Sequence, residues 1–146
     1  MSRILVRNGM LALTANLIPR PSNVSDKRLT KIGEEVYVDP VLEPYKNRKI
    51  HILDNRYRDI KFPDNYEFVH KDKIIVPYKC VAQDYVGYIE SWSLYQGLLR
   101  DEPSKAKQFI TKFANRLRDL LGANDLQKTR IELNYLYFIA MGRKLS

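Results

Sequence analysis

The clearest element in the sequence is an apolar stripe at helical spacing between about Ser104 and Leu121. Its members recur every three or four residues, which is the spacing of one helix face. Pro103 suits the first turn of such a helix, and Gly122 suits the position just past its end. The pattern predicts a helix with one buried face made of Phe109, Ile110, Phe113, Ala114, Leu117, Leu120 and Leu121.

Two further helices are predicted, one on each side of this helix. Apolar and aromatic residues recur at helical spacing from about 81 to 99, which predicts a first helix. Asn124 and Gln127 resemble a capping box, which predicts a third helix over about 125–141. Alternate residues of that last segment are also apolar, so a strand stays open as the alternative there. Together the three helices predict a C-terminal bundle over 81–146.

The first part of the chain is predicted to contain strands and irregular structure. Asn8-Gly9 separates two short apolar runs, and this dipeptide favours the turn of a β-hairpin over residues 3–13. Four prolines interrupt the next segment, so we expect an irregular arm from 14 to 48. Short β-like runs separated by turn-forming residues predict a small antiparallel meander over 49–80.

The predicted fold class is therefore α+β, with an N-terminal hairpin and irregular proline-containing arm, a small antiparallel β meander and a C-terminal three-helix bundle. The predicted boundaries are 1–48 for the hairpin and arm, 49–80 for the β region and 81–146 for the bundle, with 49–146 as one compact body. A length of 146 residues fits one domain, and 45% hydrophobic with 29% charged side chains is typical of globular proteins. No apolar run approaches the roughly 20 residues that span a bilayer, so no membrane contact is expected.

Cys80 is the one cysteine of the chain, which excludes an internal disulfide and a cysteine-based zinc cage. Because it follows a β-like run, we interpret it as a buried core thiol rather than a reactive one. A single cysteine is compatible with a reducing compartment. We expect a soluble protein that is intracellular or virion-associated and not secreted.

The net charge of +8 is concentrated at the two ends of the chain. The first 25 residues carry three arginines and no acid, whereas 103–146 carry nine basic and three acidic side chains. Such asymmetry favours a polyanion or an acidic protein surface as partner, although a solvated basic surface without any partner remains the alternative. The candidate nucleic-acid contacts are Arg3, Arg7, Arg20, Arg143 and Lys144.

Four aromatic residues of the predicted first helix fall within about 80° of helical arc. A strip of this kind is typical of the centre of a protein interface, and it is equally compatible with a core face packed on the second helix. The flanking acids Asp84 and Glu90 disfavour stacking on nucleic acid, because they would repel phosphates. The predicted protein-interface residues are Tyr85, Tyr88, Trp92 and Tyr95.

Catalytic patterns are sparse, and we predict no catalytic residue, no metal site and no cofactor. His51 and His70 lack the spacing of a helical zinc site, and the glycines are scattered singly. Asp39, Asp59 and Lys61 loosely resemble the acid and acid-x-lysine pattern of restriction-like nucleases, which would imply a Mg²⁺-dependent nuclease as a remote alternative.

By elimination, the sequence predicts a non-catalytic structural subunit of a larger assembly, such as a virion connector, a tail ring or a ribonucleoprotein particle. The expected partners are other protein subunits in a homo- or hetero-oligomer, docked through the arm and the helices. The alternative is a basic module that contacts nucleic-acid phosphates without sequence preference. Neither enzymatic activity nor a small-molecule substrate is expected.

Overall fold

The computed structural model describes residues 5–22 and 24–145. These residues form four strands and five α-helices, together with one short 3₁₀ helix. In chain order the elements are β1 (Met10–Asn16), β2 (Arg20–Ser22), α1 (Lys27–Tyr37), the 3₁₀ helix (Glu43–Tyr45), α2 (Ile50–Asp54), β3 (Tyr66–Val81), α3 (Ala82–Glu90), α4 (Ser93–Asp101), α5 (Pro103–Leu121) and β4 (Arg130–Lys144).

The long strand β4 is the common partner of the other three strands. β1 pairs antiparallel with Tyr137–Arg143, and β2 pairs antiparallel with Glu132–Asn134. The register shifts by one residue between β1 and β2, as at a β-bulge. β3 also pairs with β4.

The described chain divides into two compact units. One unit comprises residues 5–17, 48–76 and 135–145, and the other comprises 18–22, 24–47 and 77–134. This division does not test the predicted boundaries at 48 and 80, which stay a prediction. None of the described helices is long and apolar enough to cross a membrane.

The core of the second unit is built on α5. Phe109, Ile110, Phe113 and Leu117 of its apolar stripe are buried, whereas the other members are half-buried. Gly122 ends the helix with φ of 59°, a left-handed conformation that glycine adopts without strain. The ring of Phe113 meets the fully buried ring of Tyr85 edge to face at 5.7 Å. The predicted helix from about Ser104 to Leu121 is therefore confirmed as Pro103–Leu121.

The core of the first unit lies on β4. Phe138 is fully buried and meets the ring of Tyr57 edge to face at 5.0 Å. The ring of Phe62 packs on Gly142, where a Cβ atom would overlap it. Glycine at this position thus lets an aromatic side chain lie directly on the strand backbone.

The predicted three-helix bundle is wrong, because 130–144 form the strand β4 instead of a third helix. Asp125, rather than Asn124, organises the preceding turn: its carboxylate accepts from the Gln127 N–H at 2.8 Å. Pairing with three strands then holds the alternating β-branched and aromatic residues extended. The predicted first helix is also two helices, α3 and α4.

The predicted meander over 49–80 is wrong as well. Ile50–Asp54 form the helix α2, and residues 66–81 form one uninterrupted strand. No turn forms at Lys71-Asp72, because the residues on both sides belong to the single strand β3, which pairs with β4.

The predicted hairpin and irregular arm are wrong as well. Asn8 has φ of 63° and lies in a turn, but the strand that follows it, β1, pairs with β4. The arm contains the helix α1. The Asp26 carboxylate caps the first turn of this helix by accepting a hydrogen bond from the Arg28 N–H at 2.8 Å. The predicted α+β arrangement is therefore replaced by a four-stranded antiparallel sheet with five α-helices among the described residues.

Candidate functional site

The candidate site begins where the helical path breaks between α3 and α4. The Ser91 hydroxyl donates to the Tyr88 carbonyl at 2.7 Å, and the Ser91 N–H donates to the Gly87 carbonyl at 3.0 Å. Trp92 then adopts an extended backbone with φ of −63° and ψ of 138°, and α4 starts at the next residue. The break therefore divides the continuous helix that the sequence predicts into α3 and α4, with Trp92 between them.

Three half-buried aromatic side chains meet at this break, and we call them the Trp92 cluster: Tyr37, Tyr88 and Trp92. The Tyr37 and Trp92 rings meet at 90° with centroids 5.8 Å apart. The Tyr88 and Trp92 rings meet at 85° with centroids 5.9 Å apart. Edge-to-face contacts of this kind hold aromatic rings in fixed positions while part of each ring stays accessible.

A lysine lies on one side of the cluster. The Lys46 ammonium lies 4.9 Å from the centroid of the Tyr37 ring, a cation–π distance. The same ammonium forms an ion pair with the Glu43 carboxylate at 2.7 Å. Because its charge is already paired, Lys46 adds polarity to the rim of the cluster without offering an open site for an anion.

The four aromatic residues singled out in the sequence occupy different environments. Tyr85 and Tyr95 are 0% and 4% exposed, so their rings belong to the core. The Tyr85 hydroxyl donates to the Pro19 carbonyl at 2.8 Å, and burial raises the pKa of Tyr95, with the Glu90 charge as a lesser cause. The remaining pair belongs to the Trp92 cluster. That the four residues form a protein interface stays a prediction.

Sequence reasoning missed Tyr37 and Lys46. Both residues fell within the predicted irregular arm, but Tyr37 lies at the end of α1. The available signal was the helical spacing of Leu29, Ile32 and Val36 behind the capping residue Asp26. The contact between Tyr37 and Trp92 joins residues far apart in sequence, which no local pattern specifies.

A hollow of about 530 Å³ lies in the same unit around the start of α3. The Asp84 carboxylate accepts from the Val81 N–H at 3.0 Å and so caps this helix. Burial, and secondarily the charge of Asp84, raises the pKa of the Cys80 thiol. A thiol shifted in this direction is protonated at neutral pH and is a poor nucleophile. The hollow is lined in part by Ser22, Lys79, Arg130 and Glu132.

The basic residues proposed to contact nucleic acid are mostly engaged within the protein. Arg20 donates to the Glu34 carboxylate at 2.7 Å, Arg143 lies 3.6 Å from the Glu67 carboxylate, and Lys144 donates to the Leu5 carbonyl at 3.2 Å. Arg7 is exposed, and Arg3 lies outside the described residues. Their contact with nucleic acid stays a prediction.

The carboxylates of the nuclease alternative have local structural roles. Asp39 accepts from the Val41 N–H at 3.0 Å, and Asp59 accepts from the Asn55 amide. His70 is bonded through Nε2 to the Arg56 carbonyl at 2.7 Å. Within residues 5–22 and 24–145, no group of three or more metal-ligating side chains could hold a metal ion.

The chain resembles two proteins that have been proposed as methyltransferases. It is 22% identical over 142 residues to a proposed methyltransferase of Dictyostelium discoideum, a match that covers 97% of this chain and 51% of that protein. It shares its fold with a proposed type II methyltransferase from Anaeromyxobacter dehalogenans, with a TM-score of 0.73 and 16% identity over 95% of this chain and 54% of the other. No family model matches the chain. The chain thus spans about half the length of each of these proteins.

These similarities overturn the functional expectation drawn from the sequence. They are to proposed enzymes rather than to virion or ribonucleoprotein components, so the prediction of a non-catalytic structural subunit is wrong. The nucleic-acid module and the nuclease fall with it, as do the predictions of no enzymatic role and no small-molecule substrate. The prediction assumed that the sequence of an enzyme contains a recognisable nucleophile, metal-binding or glycine-rich motif. A surface that binds a substrate through aromatic packing leaves no such short motif.

Proposed function

We propose that this chain forms the acceptor-binding part of a methyltransferase, with the Trp92 cluster as the surface that receives the methyl acceptor. The proposal is supported by the similarity to two proposed methyltransferases along 97% and 95% of the chain. The observation that carries the site assignment is the meeting of three half-buried aromatic rings at the helix break. Small-molecule sites are typically apolar and aromatic with few polar groups, which matches this arrangement.

The cluster favours a flat, largely uncharged acceptor. Aromatic edges and faces stabilise a planar ring by stacking and edge contacts worth about 0.5–1.5 kcal/mol per pair beyond buried area. Lys46, the cation beside the cluster, is paired with Glu43, so a carboxylate ligand gains little there. We therefore expect a phenol, indole or similar heteroaromatic compound whose oxygen or nitrogen accepts the methyl group.

The methyl donor implied by this class of enzyme is S-adenosylmethionine, and the described residues do not fit it. A nucleoside donor needs close backbone approach, which a glycine-rich turn provides in many α/β folds. Here Gly33, Gly97 and Gly142 are each covered by an aromatic side chain of the protein itself. The other three, Gly9, Gly87 and Gly122, are single residues without neighbouring glycines. We therefore assign the acceptor, and not the donor, to this chain.

The experiment uses the fluorescence of Trp92, the one tryptophan in the chain. The purified chain is titrated with a panel of small phenols and indoles and, separately, with aliphatic carboxylates. We expect saturable quenching or a spectral shift with members of the first group only. Binding should weaken at least about tenfold in Tyr88→Ala, because loss of one aromatic contact and its buried area is worth about 1.4 kcal/mol or more.

Tyr66→Ala is the matched control, since Tyr66 is also a half-buried tyrosine but packs on Phe62 in the other unit. This variant should bind the same compounds with unchanged affinity. The proposal is contradicted if no planar compound changes the Trp92 signal, or if Tyr88→Ala and Tyr66→Ala weaken binding equally.

A further inference from the structure

An ion pair at the rim of the Trp92 cluster is held in place by the turn that carries it. The pair joins Glu43 and Lys46, and the Lys46 N–H donates to the Glu43 carbonyl at 3.1 Å. Leu42, directly before this turn, is fully buried. The ring of Tyr45, within the turn, packs on α4 at Gly97, where an added Cβ atom would lie 2.6 Å from it. Because core contacts anchor the turn on both sides, the two charged groups have a defined position.

The two members of the pair differ in exposure. The Lys46 side chain is 17% exposed, and its ammonium lies 4.9 Å from the centroid of the Tyr37 ring. The Glu43 side chain is 66% exposed, and its carboxylate lies 2.7 Å from that ammonium. A ligand can therefore reach the carboxylate from solvent. Because the lysine is already packed against the protein, a bond to it requires little further ordering of the side chain.

Both charged groups keep hydrogen-bonding capacity beyond the bond between them. An ammonium has three N–H donors, and a carboxylate has about four lone-pair sites. Within the described part of the chain, the polar contacts of the ammonium are with the Glu43 carboxylate and the Tyr37 ring. At least one N–H of Lys46 and several lone-pair sites of Glu43 thus remain, side by side, for a ligand.

A donor next to an acceptor distinguishes the substituents that a planar acceptor can carry. A hydroxyl group both accepts and donates, so it can bond to Lys46 and Glu43 at the same time. A carboxylate substituent can only accept, and the Glu43 charge repels it. An aromatic N–H can only donate, and so leaves the ammonium unmatched. The hydroxyl is therefore the substituent that satisfies both members of the pair.

We propose that the Lys46–Glu43 pair determines specificity for a methyl acceptor that carries a ring hydroxyl. The acceptor ring packs on the Trp92 cluster, and its hydroxyl accepts from Lys46 and donates to Glu43. This inference rests on the proposed function, and it narrows the acceptor from planar compounds in general to phenols. The ammonium and an acceptor ring in aromatic contact with Tyr37 are both neighbours of that ring, so a ring substituent lies within reach of the pair.

The experiment compares three ligands that share one planar ring and differ at one position. The purified chain is titrated calorimetrically with indole, 5-hydroxyindole and indole-5-carboxylate. We expect 5-hydroxyindole to bind about tenfold more tightly than indole, because hydrogen bonds to charged groups contribute at least this factor. Indole-5-carboxylate should bind no more tightly than indole.

Two variants test the two bonds separately. Glu43→Ala should reduce the preference for 5-hydroxyindole to about threefold or less, and it should strengthen binding of indole-5-carboxylate because Lys46 is then unpaired. Lys46→Met keeps an apolar side chain of similar length, and it should remove the preference without strengthening binding of the carboxylate. Indole itself should bind both variants as it binds the parent chain, which shows that the aromatic surface is intact.

Glu102→Ala is the matched control, because Glu102 forms the same type of ion pair with Lys105, three residues later, at the start of α5. This variant should leave all three affinities unchanged.

Two results would overturn the proposal. One is equal binding of indole and 5-hydroxyindole by the parent chain. The other is a preference for 5-hydroxyindole that persists in both Glu43→Ala and Lys46→Met, or that falls equally in Glu102→Ala. Binding of indole without a hydroxyl preference contradicts this inference alone. Failure of every indole and phenol to bind contradicts the proposed function as well, so the two failures are distinguishable.

Discussion

Replacing Gly33 by alanine tests the packing between α1 and the buried ring of Tyr85. The Tyr85 side chain is fully buried, and its hydroxyl donates to the Pro19 carbonyl at 2.8 Å. A Cβ atom on residue 33 would overlap that hydroxyl and lie 2.9 Å from Cγ2 of Ile18 and 3.3 Å from Cζ of Tyr85. The substitution must therefore displace the ring or the helix.

The expected magnitude follows from three opposing contributions. Alanine in a helix interior is favoured over glycine by about 1 kcal/mol. Against this, overpacking a tight core costs about 1–3 kcal/mol. If the displaced Tyr85 hydroxyl leaves the Pro19 carbonyl without its hydrogen bond, that buried carbonyl costs about 1–3 kcal/mol more. The balance is a loss of about 3 kcal/mol in the free energy of unfolding. Urea unfolding followed by circular dichroism measures it.

Gly87→Ala is the matched control, because Gly87 is an exposed helical glycine whose added Cβ would have nothing within 4 Å. It should stabilise the protein by up to about 1 kcal/mol. Adding Tyr85→Phe to Gly33→Ala removes the overlapping oxygen and should recover part of the loss. If Gly33→Ala is as stable as Gly87→Ala, the packing described for α1 is wrong.

Two further predictions concern titrating groups. Because burial and the charge of Asp84 raise the pKa of Cys80, iodoacetamide should alkylate the folded chain more slowly at pH 8 than the urea-unfolded chain. Asp84→Asn, which keeps a capping oxygen, should speed the folded reaction; equal rates for folded and unfolded chains would refute this. The hydrogen bond from Arg58 lowers the pKa of Asp72. A depressed folded pKa contributes stability above the unfolded pKa, and this contribution is lost as pH falls through the folded pKa. Arg58→Gln should raise the Asp72 titration midpoint measured by carbon-detected NMR, and an unchanged midpoint would show that Arg58 is not the cause.

The helix α5 was predictable because its determinants are local. The apolar spacing, the early proline and Gly122 all lie within the helix or next to it. The strand β4 was not predictable in the same way. The residues before it offered a plausible capping box, and only pairing with β1, β2 and β3 decides for the extended form. Non-local pairing outweighs local propensity in such strands.

The site shows the same limit. The sequence singled out Tyr88 and Trp92, but it placed them on one continuous helix. No glycine or proline marks the break at Ser91, which is held by hydrogen bonds from Ser91 to Gly87 and Tyr88. Tyr37 joins Trp92 only through tertiary packing. Chemistry-bearing residue types were therefore visible in the sequence, whereas their grouping was not.

The central claim, that this chain receives the acceptor and not the methyl donor, is tested most directly by equilibrium dialysis with labelled S-adenosylmethionine. The chain alone is dialysed against the donor at concentrations up to about 1 mM. This range detects binding with a free energy as small as roughly 4 kcal/mol, which corresponds to a Kd of about 1 mM. In parallel, the planar compounds that quench Trp92 are dialysed against the same sample. The account predicts retention of the planar compounds and no retention of the donor. Saturable retention of S-adenosylmethionine by the chain alone would contradict it, and so would failure to retain any planar compound.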